Sequence, residues 1–328
     1  MNLTALTAFV SLAAFAAGCN TSRPVPPQQQ PINRYVKGYQ AYQRGEAELA
    51  KAELEAAVAA NPDLRMARTL LGEIYRKQKD YGAAARQYEV LSRSDPYTLD
   101  NHYYLGVSYQ FLQRYRASIA AYLTGLKLQA NDFKSNMALG TVYLALGETG
   151  EAVNYLDKAT QIDPSSGVAW SNLGVALDAK GSLVLAETSY RKAMEREPNS
   201  GAIQQNLANN LLAQKKTGES IYFWQQLIKT QPTPFRRARL AEAYVQSGDF
   251  GKAEREVDEL LAEDANFVAG HNARAASKIR QYELSGFGND KFRTEAVAAL
   301  RKSLSLNGNQ PAIEKQLREY ESASAIKP

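Results

Sequence analysis

Cysteine occurs once in the 328 residues, at Cys19, so no disulfide can close within the chain. Histidine occurs twice, at His102 and His271. Metal centres assembled from Cys and His are therefore excluded. No strong excess of one charge exists either: Lys and Arg number 39 against 34 Asp and Glu, and the bases are scattered among the acids. That pattern gives a solvated surface, not the one-signed stripe that nucleic acid requires. Long apolar runs are missing too. The stretch LTALTAFVSLAAFAA, residues 3–17, is shorter than the roughly 20 residues that cross a bilayer as a helix. Gly-rich phosphate loops, metal-ligand spacings and nucleophile motifs are absent. The residues thus predict a chain that is not an enzyme, with no cofactor, no nucleic-acid partner and no small-molecule substrate.

What is present begins at the N-terminus. The apolar stretch ends in small residues, which suits the h-region and cleavage site of an export signal over residues 1–18. The run TSRPVPPQQQP follows, with Pro24, Pro26, Pro27 and Pro31. It cannot bury apolar surface and favours extended polyproline II, at roughly 3.1 Å per residue, so residues 19–31 read as a tether. Cys19 sits at the junction. Ala16-Ala17-Gly18-Cys19 resembles the lipobox of bacterial lipoproteins, with Ala16 where that family prefers Leu and no Lys or Arg ahead of the apolar stretch. The resemblance implies a diacylglycerol on Cys19 and cleavage just before it. Asn20 resembles the residues that permit outer-membrane sorting, which implies a lipid-anchored protein of the bacterial cell envelope, on the outer membrane and facing the periplasm. Acyl burial at about 0.8 kcal/mol per CH₂ makes a second chain enough for lasting attachment.

From residue 32 the chain repeats. Gly38, Gly72, Gly106, Gly140 and Gly174 lie 34 residues apart, continued by Ala208 and Ala241. Ala50, Ala84, Ser118, Ala152, Ala186, Ser220 and Ala253 form a second series, and Pro62, Pro96, Pro164, Pro198 and Pro232 a third. Each unit holds two apolar stripes at helical period around a turn such as RGEAE or LGETG. The small residues mark close helix crossings. The proline ends the second helix, because it lacks an amide hydrogen and disfavours helix in the residue before it.

These units, RTLLGEIYRKQKDYGAAARQYEVLSRSDP among the strongest, resemble the tetratricopeptide repeat over residues 32–308. The resemblance implies an all-α fold, a right-handed superhelix or α-solenoid of helix-turn-helix repeats. Seven repeats are clear. In the eighth the second helix is delayed by extra material around LSGFGND. Residues 309–328 then supply a capping helix, with Pro311 at its start and Ile313, Leu317 and Tyr320 on one face, and a tail.

In this family the first helix of each pair lines a concave groove that binds peptides or partner helices. Its inward positions fall here on Tyr35, Tyr39 and Tyr42, on Tyr103, Val107 and Phe111, on Met137 and Leu144, on Val175 and Asp178, and on Asn209, Ala238 and Glu242. An aromatic, apolar N-terminal half and a more polar C-terminal half result. Exposed aromatics are good anchors for an apolar peptide or amphipathic helix. Two readings of Tyr35, Tyr39 and Tyr42 stand: anchors for a partner, or packing against the preceding segment. Asn172 and Asn206 likewise either hold a peptide backbone or shape the groove. His102 falls where the repeat often carries an aromatic and is expected to pack. Together these features predict a membrane-tethered protein–protein interaction scaffold, similar to tetratricopeptide lipoproteins that serve pilus or secretion machines. The alternative is a non-catalytic positioning subunit of a cell-wall or polysaccharide synthesis assembly.

Overall fold

The computed structural model describes residues 29–322, and every regular element among them is an α-helix, seventeen in all. Cys19, the export signal and most of the proline-rich tether lie outside the described residues. The chain divides into two compact units, Met1–Pro96 and Tyr97–Pro328. The first holds α1 (Gln30–Gln43), α2 (Ala47–Ala60), α3 (Arg65–Lys77) and α4 (Tyr81–Ser94). The second opens with α5 (Leu99–Phe111), α6 (Tyr115–Leu128), α7 (Phe133–Ala145) and α8 (Thr149–Ile162). It continues with α9 (Gly167–Ala179), α10 (Leu183–Arg196), α11 (Gly201–Ala213) and α12 (Thr217–Thr230). Then come α13 (Pro234–Ser247), α14 (Phe250–Glu263), α15 (Val268–Leu284), α16 (Asp290–Leu306) and α17 (Pro311–Ser322). Within each unit every helix packs on the next in chain order, as stacked helix pairs require. α1 takes Pro31, the last residue of the expected tether, into its first turn, where a missing N–H costs no helical bond.

The first two series of small residues have a common cause. A Cβ added at Gly106 would stand 2.5 Å from the Tyr122 ring, and one at Gly174 2.5 Å from that of Tyr190. At Gly140 the obstacle is Leu156, again at 2.5 Å. Each glycine is thus the floor on which a large buried side chain of the partner helix lies. The second series closes the same crossing. Where it carries Ser, the hydroxyl bonds across: Ser118 donates to the Gly106 carbonyl and Ser220 to the Ala208 carbonyl, both at 2.8 Å.

The turn inside each pair passes through a left-handed residue. Gly45, Gly147, Gly181 and Gly248 occupy it, but so do Lys79, Gln113 and Lys215, with φ of 61°, 57° and 62°. The last carbonyls of the first helix fix this geometry: Gly45 N–H donates to Tyr42 and Glu46 N–H to Ala41.

The third series has a consequence at the next helix. A loop that ends a helix leaves a carbonyl with no helical partner, and a donor six residues on supplies one. Arg68 donates to the Pro62 carbonyl at 2.6 Å, Trp170 to Pro164 at 3.0 Å and Gln204 to Pro198 at 2.7 Å. Asn136 serves Ala130 at 3.1 Å and His271 serves Ala265 at 2.9 Å. The donors differ in every chemical respect but one.

In the eighth pair α15 and α16 have 17 residues each, against 13 or 14 in the other paired helices. The delayed second helix is therefore a longer hairpin, with left-handed Gly286 and Phe287 at its tip. α17 closes the stack: Ile313, Leu317 and Tyr320 pack on Tyr282, Ala296 and Leu300. Tyr320 donates to Glu283 at 3.0 Å, and Arg293 donates to the Tyr320 carbonyl at 3.1 Å.

Candidate functional site

In the first unit, Tyr35 and Tyr42 are half-buried and pack against the core of Leu54, Leu70 and Leu71. Tyr39 stays 37% exposed, its ring stacked on Tyr35 with centroids 6.2 Å apart. The Tyr42 hydroxyl donates to Glu73 at 2.6 Å and accepts from Lys77, which also pairs with Glu73 at 3.0 Å. Burial pushes the Glu73 carboxyl up, but the bonds from Tyr42 and Lys77 outweigh it and hold the group below the usual range. Of the three tyrosines, two are structural walls and Tyr39 is the side chain left to offer.

In the second unit, Tyr103 and Val107 are half-buried against Tyr122, Leu126 and Leu139, and Tyr103 sits 5.1 Å from Tyr104 and 5.9 Å from Tyr122, ring to ring. Phe111 is 60% exposed and Val175 37%. Met137 and Leu144 are half-buried beside Leu156 and Leu173. Asn172 is half-buried, and the Asn206 amide reaches Ser171 at 3.5 Å. The Asn209 side-chain oxygen is shielded from water and accepts no hydrogen bond among the described residues. The expected ladder is therefore graded: its outermost members, Phe111 and Val175, face solvent, and the others lend much of their surface to the core.

Sequence reasoning missed a second feature of this face. Asp178 is clasped from two helices: Tyr190 donates to one oxygen at 2.8 Å and Asn210 to the other at 2.5 Å. Burial pushes its carboxyl up, partly offset by those two bonds. Beside it Glu187 accepts from Lys216 at 2.6 Å, Gln214 at 2.8 Å and Arg191 at 2.9 Å. Burial would raise Glu187, but these donors overcome it and hold the carboxyl low. Two repeats earlier Tyr122 donates to Gln110 at 3.0 Å. The signal was available: Tyr122 and Tyr190 stand twelve residues after a polar side chain, whereas Leu156 and Trp224 follow Leu144 and Leu212. Both histidines are buried. No cluster able to hold a metal occurs among the described residues, and none of their helices is long and apolar enough to cross a membrane.

The tetratricopeptide repeat family matches residues 35–97 and 103–167, and matches again at 168–200. The type IV pilus assembly protein PilF of Pseudomonas aeruginosa is 34% identical over 106 residues, 32% of this chain and 41% of that protein. Small glutamine-rich tetratricopeptide repeat-containing protein 2 of Mycosarcoma maydis is 32% identical over 96 residues, 29% of this chain and 27% of that one. Each match therefore spans less than half of the relative. The crystal structure of a tetratricopeptide repeat protein from Parabacteroides merdae superposes with a TM-score of 0.55 at 17% identity, covering 89% of this chain and 99% of that one, which bears on the fold alone. From Tyr35 to Ser200, then, the chain is built of tetratricopeptide repeats.

Proposed function

We propose that this protein is a non-catalytic interaction scaffold, tethered through Cys19 to a membrane of the bacterial cell envelope, that takes a peptide or helix of a partner protein on side chains presented by the first helices of its repeats. The observation that carries the reading is that Tyr39, on α1 of the first unit, and Phe111, on α5 of the second, are large aromatic side chains that remain 37% and 60% exposed. Aromatic anchors left in water by a rigid frame are what partner recognition uses. The similarity to a protein named for type IV pilus assembly supports a role beside an envelope machine. The lipobox-like Ala16-Ala17-Gly18-Cys19 supports the tether.

Crosslinking in intact cells tests the binding face. Partner capture is expected to fall about tenfold or more with Tyr39→Asp and Phe111→Asp, changes that leave the core untouched. Capture equal to the parent protein in both variants refutes the face. Cys19→Ser tests the tether: the protein is expected to move from the membrane to the soluble fraction and to stop incorporating labelled palmitate.

A further inference from the structure

Two hollows lie side by side at the C-terminal end of the second unit. The first, of about 350 Å³, is walled by Phe235 and Ala238 of α13, Ala273 of α15 and Ile313 of α17. The second, of about 540 Å³, is walled by Leu212 of α11, Val245 of α13 and Ile279 of α15. Ala276 and Gln316 border both. The hollows exist because the residues there are small. Ala238 stands where earlier pairs carry Tyr103 and Met137, and Ala276 where one carries Val107. α17 therefore does more than shield the end of the stack. Its Ile313 and Gln316 build the far wall of a site that the repeats alone would leave open.

Polar groups at these hollows point to the occupant. Arg239 donates to Glu242 at 2.6 Å, yet its buried Nε finds no acceptor among the described residues. Lys215, on the rim of the second hollow, has no acidic partner among the described residues. The remaining rim charges, Arg280 and Glu283, neutralise each other at 3.0 Å. Donors in want of acceptors, beside one largely apolar cup and a second in which Leu212, Val245 and Ile279 are joined by Thr217 and Gln246, call for carboxylates flanking apolar side chains.

Resting on the proposed scaffold function, we propose that these hollows receive two neighbouring apolar side chains of an acidic partner segment, with Arg239 and Lys215 meeting its carboxylates. Phe235 lies edge-on to Trp224, with centroids 6.3 Å apart, so occupation is readable in the emission of Trp224, one of two tryptophans in the chain.

A displayed library of random peptides of about 12 residues, selected on the full chain, tests this. Enriched peptides are expected to carry Leu, Ile or Phe beside Asp or Glu and to shift the tryptophan emission. Their affinity is expected to fall about tenfold with Ala276→Trp, which fills both hollows, and severalfold with Arg239→Gln. Ala276 is solvent-exposed, and Ala276→Glu, with a smaller side chain than Trp, gives the same loss through charge repulsion. Phe111→Asp leaves this binding unchanged. Enrichment of basic or wholly polar peptides, or of none, overturns the proposal. Peptides that keep their affinity in both Ala276 variants and lose it in Phe111→Asp overturn it while leaving the scaffold reading in place.

Discussion

Trp170 shows how one atom can decide a residue. Its ring lies under the Lys192 ammonium, 4.2 Å from the centroid, and its indole N–H serves the Pro164 carbonyl. Trp170→Phe keeps a ring and removes the donor, so it is expected to cost about 1 kcal/mol, seen as a lower urea midpoint at unchanged m. The five donors of this kind were illegible in the sequence because Arg68, Asn136, Trp170, Gln204 and His271 share a function and not a side chain. His271 is thus one more hydrogen-bond donor to a loop, alike in role and not in kind. Asp178 and Glu187 provide a second test, because neighbouring carboxyls are shifted in opposite directions. Asp178, raised by burial, stabilises the fold most below its unfolded pKa and loses that contribution as pH climbs through its folded value. Glu187, held low, contributes above its unfolded pKa and loses this as pH falls through its folded value. Asp178→Asn is therefore expected to gain in melting temperature relative to the parent between pH 4 and pH 7. Glu187→Gln is expected to lose relative to the parent as pH rises from about 3 to about 5, through and below the ordinary carboxylate range. A common slope in both would refute the assignment.

At the scale of the helix, the 34-residue spacing revealed the crossings but not their partners. A series of glycines says that something is close, and only the structure says that it is the ring of Tyr122 or Tyr190. The distinction is testable with one substitution in two settings. Gly106→Ala drives a methyl into the Tyr122 ring and is expected to destabilise by about 1–3 kcal/mol or more. Gly150→Ala, in α8, meets nothing within 4 Å and is expected to stabilise by about 0.4–1 kcal/mol, through helix propensity and a less free unfolded chain. Thermal melts of the two proteins should move apart. The aromatic face was legible as a set of positions. How far each side chain sinks was not, because Tyr103 and Phe111 both fall on the inward side of α5 and differ in the neighbours that meet them.

At the scale of the molecule, the last helix is both a lid for the core and a wall for the hollows. Removing residues 311–328 uncovers Tyr282 and Leu300, which Tyr320 and Leu317 now cover. A loss of about 2–4 kcal/mol is expected from that apolar exposure. Light scattering should show self-association, which the full chain should not show at equal concentration. The capping role was readable from Ile313, Leu317 and Tyr320 on one helical face. The site it completes was not, since the hollows arise from small residues on α13 and α15 that meet α17 only in three dimensions.

The loop carbonyls carry a last consequence. Each is served by a side chain of the following pair, so a pair that melts in mid-stack breaks a link on either side, whereas a pair at the end breaks only one. Disorder is thereby driven to begin at the extremities and travel inward, like a zip fastener opened from its ends. Amide protons of α9 and α11, on either side of such links, should be among the last to exchange with deuterium.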